Sequence, residues 1–331
     1  MAEMSATAPK PTSQPLATGA QPTQAPNPAK NSDPSKQTGA RPISSAVFSI
    51  QLNHERQRWL KLLVYGRHGG GKTELASTAV DCLPMRDVLV IDAEKGDSTI
   101  EDSPRIRNPE LIHNIQVTNF KQVGKIHEFL TAYCKARDRK DVQAMKRLFC
   151  QVTGLTPEQV PDDKVPNYQT VIIDSLTEVE TYCTYGILNI DSQVIVTDDI
   201  DTAGWPEFRK NLEMMKLLVR AFRDLPMHVI FCCAESWSQD EHKKYHYQPK
   251  LTGQLSTAVQ GFVDIVGWLT VGPSSADQPE APRRMYIQPI SGGPKFDAKN
   301  RRAGYKGAFF DNPSMSSIMR DTGFIRPEGQ E

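Results

Sequence analysis

The sequence predicts an α/β fold in which helices flank a mostly parallel central sheet. Four short apolar runs lack polar alternation, which is typical of strands buried on both faces. Segments with helical periodicity lie between these runs, and a glycine-rich segment joins the first run to the first helix. This alternation of strands and helices favours a doubly wound sheet with right-handed crossovers.

The predicted elements follow one another along the chain from the first apolar run onward. The four core strands are Leu60–Tyr65, Val88–Ala93, Thr170–Asp174 and His228–Cys233. The predicted helices are Lys72–Asp81, Phe120–Arg137 and Trp205–Asp224. Two later runs, Phe262–Val271 and Arg284–Ile290, predict strands that are antiparallel at one edge of the sheet.

Composition divides the chain into a tail and a body. Eight of the 24 prolines lie in Met1–Pro42, and the first aromatic residue is Phe48. Because such a segment has too little apolar area to offset its conformational entropy, residues 1–45 are predicted to be disordered, as a solvated tether or as an arm that binds DNA or a partner. Residues 46–311 form the predicted α/β domain, with a part-helical insertion at 138–165, and 312–331 form a C-terminal extension.

Charge and cysteine usage exclude several classes of protein. The 331 residues contain 39 basic and 39 acidic side chains, so any contact with nucleic acid must come from a local patch rather than from net charge. The six cysteines form no C-x-x-C pair, which favours reduced thiols in an intracellular, cytoplasmic protein. No apolar run approaches the roughly 18 residues of a membrane helix, so no membrane partner is expected.

The glycine-rich segment fits the phosphate-loop pattern G-x-x-x-x-G-K-[ST] between a strand and a helix. Its glycines let backbone N–H groups surround a phosphate, to which the helix N-terminus adds positive potential. Lys72 would reach the β- and γ-phosphates, and the Thr73 hydroxyl would bind Mg²⁺. The predicted nucleotide-binding residues are Gly66, Arg67, His68, Gly69, Gly70, Gly71, Lys72 and Thr73.

Carboxylates follow two of the predicted core strands. Asp174 ends the third run, where an acidic residue beside a phosphate loop would hold Mg²⁺, although an ordinary strand-terminal or helix-capping aspartate is the simpler alternative. Asp92 and Glu94 come at the end of the second run, at the edge where ligands bind in open α/β sheets. Strand alternation puts both on one side, so one can serve the attacking water and the other a loop. We favour Glu94 as the base.

Taken together, three segments resemble the RecA-type ATPases: Gly66–Thr73, the sequence IDAE at Ile91–Glu94, and VIIDS at Val171–Ser175. The resemblance is greatest to phage-type RecA-like AAA-family ATPases, among them the recombinases that assist single-strand annealing. Pro249–Leu269 and Lys299–Arg301 extend it, so that it covers about 60–302. It implies a RecA-like P-loop fold, ATP with Mg²⁺ as cofactors, and Glu94 as the catalytic base.

The fourth core strand departs from the RecA pattern at its end. RecA has a polar Asn-Gln there, whereas this chain has Cys233-Ala234-Glu235. The resemblance implies Glu235 as a sensor of the γ-phosphate, with a surface carboxylate as the alternative. The N-terminal oligomerisation helix of the family is not evident, and partner contact is expected from Ala46–Ile50 or from the tail.

A basic segment near the C-terminus predicts assembly. Arg283–Lys306 contains seven basic residues and one acid, and within it Lys299 and Arg301 point the same way on an extended chain. In RecA-like rings and filaments such a pair reaches the γ-phosphate held by the neighbouring subunit. The resemblance therefore implies a homo-oligomer with shared active sites, and a solvated basic loop is the alternative.

A second basic segment, Glu241–Lys250, predicts a DNA contact. Its lysines and tyrosines suit phosphates and stacked bases of single-stranded DNA, and it lies where RecA relatives have a DNA-binding loop. An exposed hairpin without a ligand is the alternative. The candidate DNA-binding residues are Lys243, Lys244, Tyr245 and Tyr247.

These features predict a DNA-stimulated ATPase that acts on single-stranded DNA in phage recombination, annealing or replication, with a single-strand binding or annealing protein as a further partner. A DnaB-like translocase shares every motif but would usually carry an N-terminal collar domain. A nucleotide-gated switch that controls partner docking is the non-enzymatic alternative. A small-molecule kinase would be expected to carry a lid instead of the Lys299–Arg301 pair.

Overall fold

A computed structural model describes residues 58–96, 98–190, 202–273, 281–302 and 304–325 of the chain. The chain divides into two units, Met1–Arg56 and Gln57–Glu331, and every described residue belongs to the second. The predicted tail and the candidate contact at Ala46–Ile50 lie outside the described residues.

Eleven strands are found in the described part of the chain, and eight of them form the main path of one sheet, in the order β11-β8-β7-β1-β5-β4-β2-β3. Strands β3, β2, β4, β5, β1 and β7 are parallel to one another. The strands are β1 (Lys61–Gly66), β2 (Val88–Asp92), β3 (Ile112–Gln116), β4 (Thr170–Asp174), β5 (His228–Gln239), β6 (Tyr245–Pro249), β7 (Ile265–Val271), β8 (Arg283–Tyr286), β9 (Lys295–Phe296), β10 (Lys299–Asn300) and β11 (Phe309–Asp311).

Helices cover both faces of this sheet. They are α1 (Lys72–Ser77), α2 (Ser98–Glu101), α3 (Phe120–Asp138), α4 (Val142–Thr153), α5 (Leu176–Ile187), α6 (Trp205–Asp224), α7 (Leu255–Phe262) and α8 (Met315–Asp321). Side chains of α3, α5, α6 and α7 pack with Leu63 and Tyr65 of β1 in one apolar core. Side chains of α1, α2 and α8 pack with Leu62 and Val64 in a second core on the other face.

The predicted α/β class, with a mostly parallel sheet between helices and antiparallel strands at one edge, is confirmed. The four apolar runs are the strands β1, β2, β4 and β5, and their core residues are almost completely buried. The two later runs, β7 and β8, are antiparallel to each other as predicted, and β11 continues this antiparallel edge. On its other side, β7 is parallel to β1. One prediction about strands needs correction. β5 continues past Cys233 to Gln239, because its second half pairs with β6 in a hairpin.

Two segments outside the predicted core pack on it. α4, within the predicted insertion, contributes Met145 to the core beside α3. α8, in the predicted C-terminal extension, buries Met315 and Ile318, and the Met315 amide donates to the Thr78 hydroxyl at 2.9 Å. Among the helices of the described ranges, none has the length and apolar character needed to cross a bilayer.

Candidate nucleotide-binding site

The phosphate loop connects β1 to α1 at the carboxyl edge of the sheet. A side chain at Gly66 would overlap the carbonyl oxygen of Leu269 on the adjacent β7, so the close approach of the two strands requires glycine. Gly71 has φ +82°, a left-handed conformation that glycine adopts without strain. Arg67, His68 and Gly69 are exposed, whereas Gly70 is buried.

Lys72 lies inside this loop. Its side chain is buried, and the ammonium group donates to the carbonyl oxygens of Gly66 at 3.1 Å and Arg67 at 2.9 Å. The first hydrogen bond of α1 runs from the Leu75 amide to the Gly71 carbonyl, which leaves the N–H groups of the first helical residues outside the helical ladder. The loop therefore presents a buried ammonium group and backbone donors, which is the chemistry that binds a phosphate.

Thr73 and Asp174 meet across the gap between α1 and the end of β4. The Thr73 hydroxyl donates to Asp174 Oδ2 at 2.5 Å. Asp174 is 5% exposed, and its Oδ1 atom has no hydrogen-bond partner among the described residues. Burial raises the pKa of this carboxyl group to about 6, with the nearby Glu94 charge adding to the effect and the Thr73 hydrogen bond opposing it.

A divalent cation fits this pair of residues. A hydroxyl and a carboxylate with an unpartnered oxygen are hard oxygen ligands, which Mg²⁺ prefers, and a cation would also offset the cost of burying the Asp174 charge. The residues that would hold Mg²⁺ are thus the two that the sequence indicates.

Asp92 and Glu94 have different positions after β2. The buried Asp92 carboxylate accepts the backbone N–H groups of Glu94 and Gly96, each at 3.0 Å, and so shapes the loop that follows the strand. Glu94 is exposed, and its carboxylate accepts a hydrogen bond from the Ser175 hydroxyl beside Asp174. Asp92 therefore serves the loop, as one of the two carboxylates was expected to do, and the role of Glu94 toward water stays a prediction.

Ser175 makes two contacts at the end of β4. Its oxygen accepts the Glu178 amide at 3.3 Å as the N-cap of α5, and its hydroxyl orients Glu94. It follows Asp174 through a cis peptide bond.

Glu235 lies beside the phosphate loop, although β5 does not end there. Its Oε1 atom accepts from Arg67 Nε at 3.1 Å and its Oε2 atom accepts from the Trp268 indole at 3.0 Å. The predicted sensor is therefore a carboxylate, with its side chain 8% exposed, that joins the loop to β7 and has both oxygens already paired.

Lys299 and Arg301 lie at the amino ends of the parallel strands, opposite the carboxyl ends where the phosphate loop lies. β10 pairs with the start of β7, where Lys299 is opposite Val266, whereas Leu269 at the other end of β7 is opposite Gly66. Both side chains donate to carbonyl groups at the C-terminal end of α7: Lys299 to Gln260 and Val263 at 2.5 and 2.9 Å, and Arg301 to Gly261 at 2.5 Å. Burial lowers the Lys299 pKa, and the neighbouring Arg301 charge adds to the effect.

The predicted DNA-binding residues lie on the hairpin of β5 and β6, which extends beyond the carboxyl edge. Lys243 and Lys244 are exposed in its turn, and Tyr245 is 44% exposed on β6. Tyr247 stacks on Trp268 with ring centroids 4.8 Å apart, which anchors the hairpin to the core.

Trp237 is a candidate that sequence reasoning missed. It is 60% exposed on β5, opposite Tyr247, and its ring makes an edge contact with Tyr245 at 5.2 Å between centroids. The sequence contained a signal for it, because residues two positions apart lie on one face of a strand, and Trp237 would therefore share a face with Glu235 if the strand continued. The predicted strand ends at Cys233, so this pattern placed Trp237 outside the strand, whereas β5 continues to Gln239.

The arrangement of loop, threonine and aspartate agrees with a comparison of sequences. The sequence model of a family described as AAA domain (AAA_24) matches residues 58–302. The chain belongs to this family. Membership of this AAA-domain family implies nucleotide binding at the phosphate loop, usually with Mg²⁺.

Two solved structures are similar to this AAA-domain chain. The crystal structure of the RadB recombinase matches with a TM-score of 0.35 and 16% identity, over 71% of this chain and 83% of the other. The flagellar accessory protein FlaH from Methanocaldococcus jannaschii matches with a TM-score of 0.36 and 10% identity, over 76% of this chain and 84% of the other. None of the curated proteins matches the sequence.

Proposed function

We propose that this chain hydrolyses ATP to ADP and phosphate, and that hydrolysis controls its binding to single-stranded DNA during recombination, annealing or replication, in a phage or bacterial cytoplasm. The observation that carries the proposal is the Thr73–Asp174 hydrogen bond beside Glu94. It joins a hydroxyl and a carboxylate suited to Mg²⁺ with a second carboxylate suited to water, next to a phosphate loop.

In the proposed reaction, Lys72 binds the γ-phosphate, and Glu94 orients the attacking water and accepts its proton. The water oxygen forms a bond to the γ-phosphorus while the bond to the ADP oxygen breaks. The Ser175 hydroxyl holds the Glu94 carboxylate near Asp174. When bound by Thr73 and Asp174, Mg²⁺ would neutralise charge on the phosphate oxygens.

We further propose that Lys299 and Arg301 act on the nucleotide of a neighbouring subunit. The partner of Lys299 and the partner of Gly66 lie three positions apart on β7, which is about 10 Å along a strand. Both side chains also point toward the end of α7, away from the phosphate loop of their own chain. This separation supports a contact between subunits and therefore a homo-oligomer.

The β5–β6 hairpin supports single-stranded DNA as the partner. Trp237 and Tyr245 place two partly exposed rings beside Lys243 and Lys244, which combines stacking surfaces with cations. Tyr247 of the same hairpin stacks on Trp268 of β7, which anchors the exposed pair of rings to the core. Such a surface binds bases without reading their sequence.

The test is the ATPase rate of the full chain with and without single-stranded DNA at low salt, where phosphate contacts are strongest. We expect hydrolysis that requires Mg²⁺ and increases with DNA. A chain that hydrolyses ATP but neither binds DNA nor responds to it would retain the ATPase assignment and reject the DNA role. In that case a partner switch becomes the better function.

A further inference from the structure

Arg283 begins β8 next to the phosphate loop, outside the residues assigned above. It lies opposite Val271 of β7, two residues beyond Leu269, which is itself opposite Gly66. Its side chain lies across Gly71: a Cβ atom there would be 2.8 Å from Arg283 Cζ and 2.9 Å from Nε. The guanidinium group is therefore packed on the backbone of the loop.

The charge around Glu74 leaves Arg283 as an excess cation. Glu74 follows Thr73, is buried, and forms an ion pair with Arg283. The same carboxylate lies 3.6 Å from Arg105 Nη1 and accepts the Ser103 hydroxyl at 2.5 Å. One carboxylate thus faces two guanidinium groups. Arg105 and Ser103 would keep Glu74 satisfied if Arg283 turned to another anion, and burial already lowers the Arg283 pKa.

The order of the strands indicates which part of a nucleotide would reach Arg283. The loop follows β1, which has β5, β4 and β2 on one side and β7 and β8 on the other. Asp174 and Glu94 belong to the first side, so the γ-phosphate must lie toward them. The α-phosphate and the nucleoside then extend toward β7 and β8, where Arg283 lies.

We propose that Arg283 is a nucleotide-binding residue whose guanidinium group contacts the α-phosphate of bound ATP and ADP. The planar guanidinium group matches phosphate oxygens in geometry and charge. Because the α-phosphate is the same before and after hydrolysis, the contact contributes equally to binding substrate and product and leaves kcat almost unchanged. This inference rests on the proposed nucleotide site.

The experiment measures dissociation constants for ATP and for ADP, by calorimetry, on the full chain and three variants. Arg283→Gln should weaken both nucleotides by the same factor, about tenfold, with kcat at saturating ATP within about twofold. Arg283→Lys keeps the charge but not the planar guanidinium group, so its dissociation constants should lie between those of wild type and of Arg283→Gln. Arg284→Gln is the matched control, since its side chain pairs with Asp311 instead of the loop region, and it should bind as wild type does.

Two results overturn the inference while the proposed function stands: unchanged affinity of Arg283→Gln in a protein that binds ATP, or a loss for ATP without a loss for ADP. Failure of the wild-type chain to bind ATP would instead reject the nucleotide site itself. The melting temperature of each nucleotide-free variant separates a loss of folding stability, through the ion pair of Arg283 with Glu74, from a loss of nucleotide binding. If Arg283→Gln does not fold, Arg283→Lys at native melting temperature provides the same comparison of ATP with ADP.

Discussion

The two edges of the sheet carry charged clusters in opposite states. At the carboxyl edge, Asp174 is buried with an unpartnered oxygen, and Glu94 is exposed beside it. At the amino edge, Lys299 and Arg301 donate to carbonyl groups of their own chain. The first cluster therefore keeps an acceptor without a partner in the described chain, whereas the second donates to carbonyl groups of the chain itself. A neighbour's phosphate would have to replace the helix carbonyls before the second cluster could act.

The largest expected effect is at the carboxyl edge. Lys72→Ala should abolish measurable ATP turnover, because no other buried ammonium group lies in the described loop. Glu94→Gln should lower kcat by about 10²–10⁴-fold and leave the dissociation constant of ATP nearly unchanged, since the residue serves the water. Steady-state kinetics with a separate nucleotide-binding assay distinguish the two. Full activity of Lys72→Ala would reject the phosphate site.

Substitutions at the amino edge should leave the ATP affinity unchanged and lower the rate of hydrolysis. Lys299→Ala should lower kcat by about 10²–10³-fold, and subunits of this variant mixed with Glu94→Gln subunits should regain some activity. Recovery is expected because some interfaces then combine an intact Glu94 with an intact Lys299. If the mixture is no more active than its components, the edges do not cooperate between subunits.

The buried state of Asp174 predicts a pH dependence of stability. Its pKa is about 6 in the folded chain against 3.8 for a free aspartate, so the folded state binds more protons between these values. The free energy of unfolding contributed by this group therefore falls as pH rises from about 4 to about 6. Relative to wild type, Asp174→Asn should become more stable by up to about 3 kcal/mol across that window.

Denaturant titrations of both proteins at pH 4, 5, 6 and 7, without nucleotide or Mg²⁺, check this dependence. If the difference in unfolding free energy between wild type and Asp174→Asn stays constant with pH, the pKa of Asp174 is not raised by folding. The proposal that the carboxyl edge holds a buried charge without a partner would then be rejected.

The smallest effect concerns the hairpin that extends the carboxyl edge. Trp237→Ala should weaken single-stranded DNA binding by about 1–3 kcal/mol, the typical contribution of one stacked base, without changing ATP affinity. Trp205→Ala is the control, because Trp205 is 84% exposed at the start of α6 and is not part of the hairpin strands. Fluorescence anisotropy of a labelled oligonucleotide measures both, and equal losses in the two variants would exclude a specific platform.

Sequence patterns predicted the buried core far better than the edges. Strands such as β4 are buried at every position, and Thr170–Asp174 was predicted with its observed bounds. β3 was missed because Ile112–Gln116 contains His113 and Asn114 and is only partly buried at the sheet edge. The direction of β7 could not be read from its residues, since an apolar run reads the same in either direction and only its pairing with β1 decides it.

By itself, the sequence determined the α/β class and the phosphate-loop pattern, and it singled out Thr73, Asp174 and Glu94 as candidate site residues, because glycine spacing and strand-terminal carboxylates are local features. Only the tertiary structure decided which groups meet. Asp92 bonds the loop after β2, and Glu235 joins Arg67 to Trp268. The Arg283 side chain lies across Gly71. These contacts join residues up to 212 positions apart (283 − 71), and no local pattern fixes the strand order that brings such residues together.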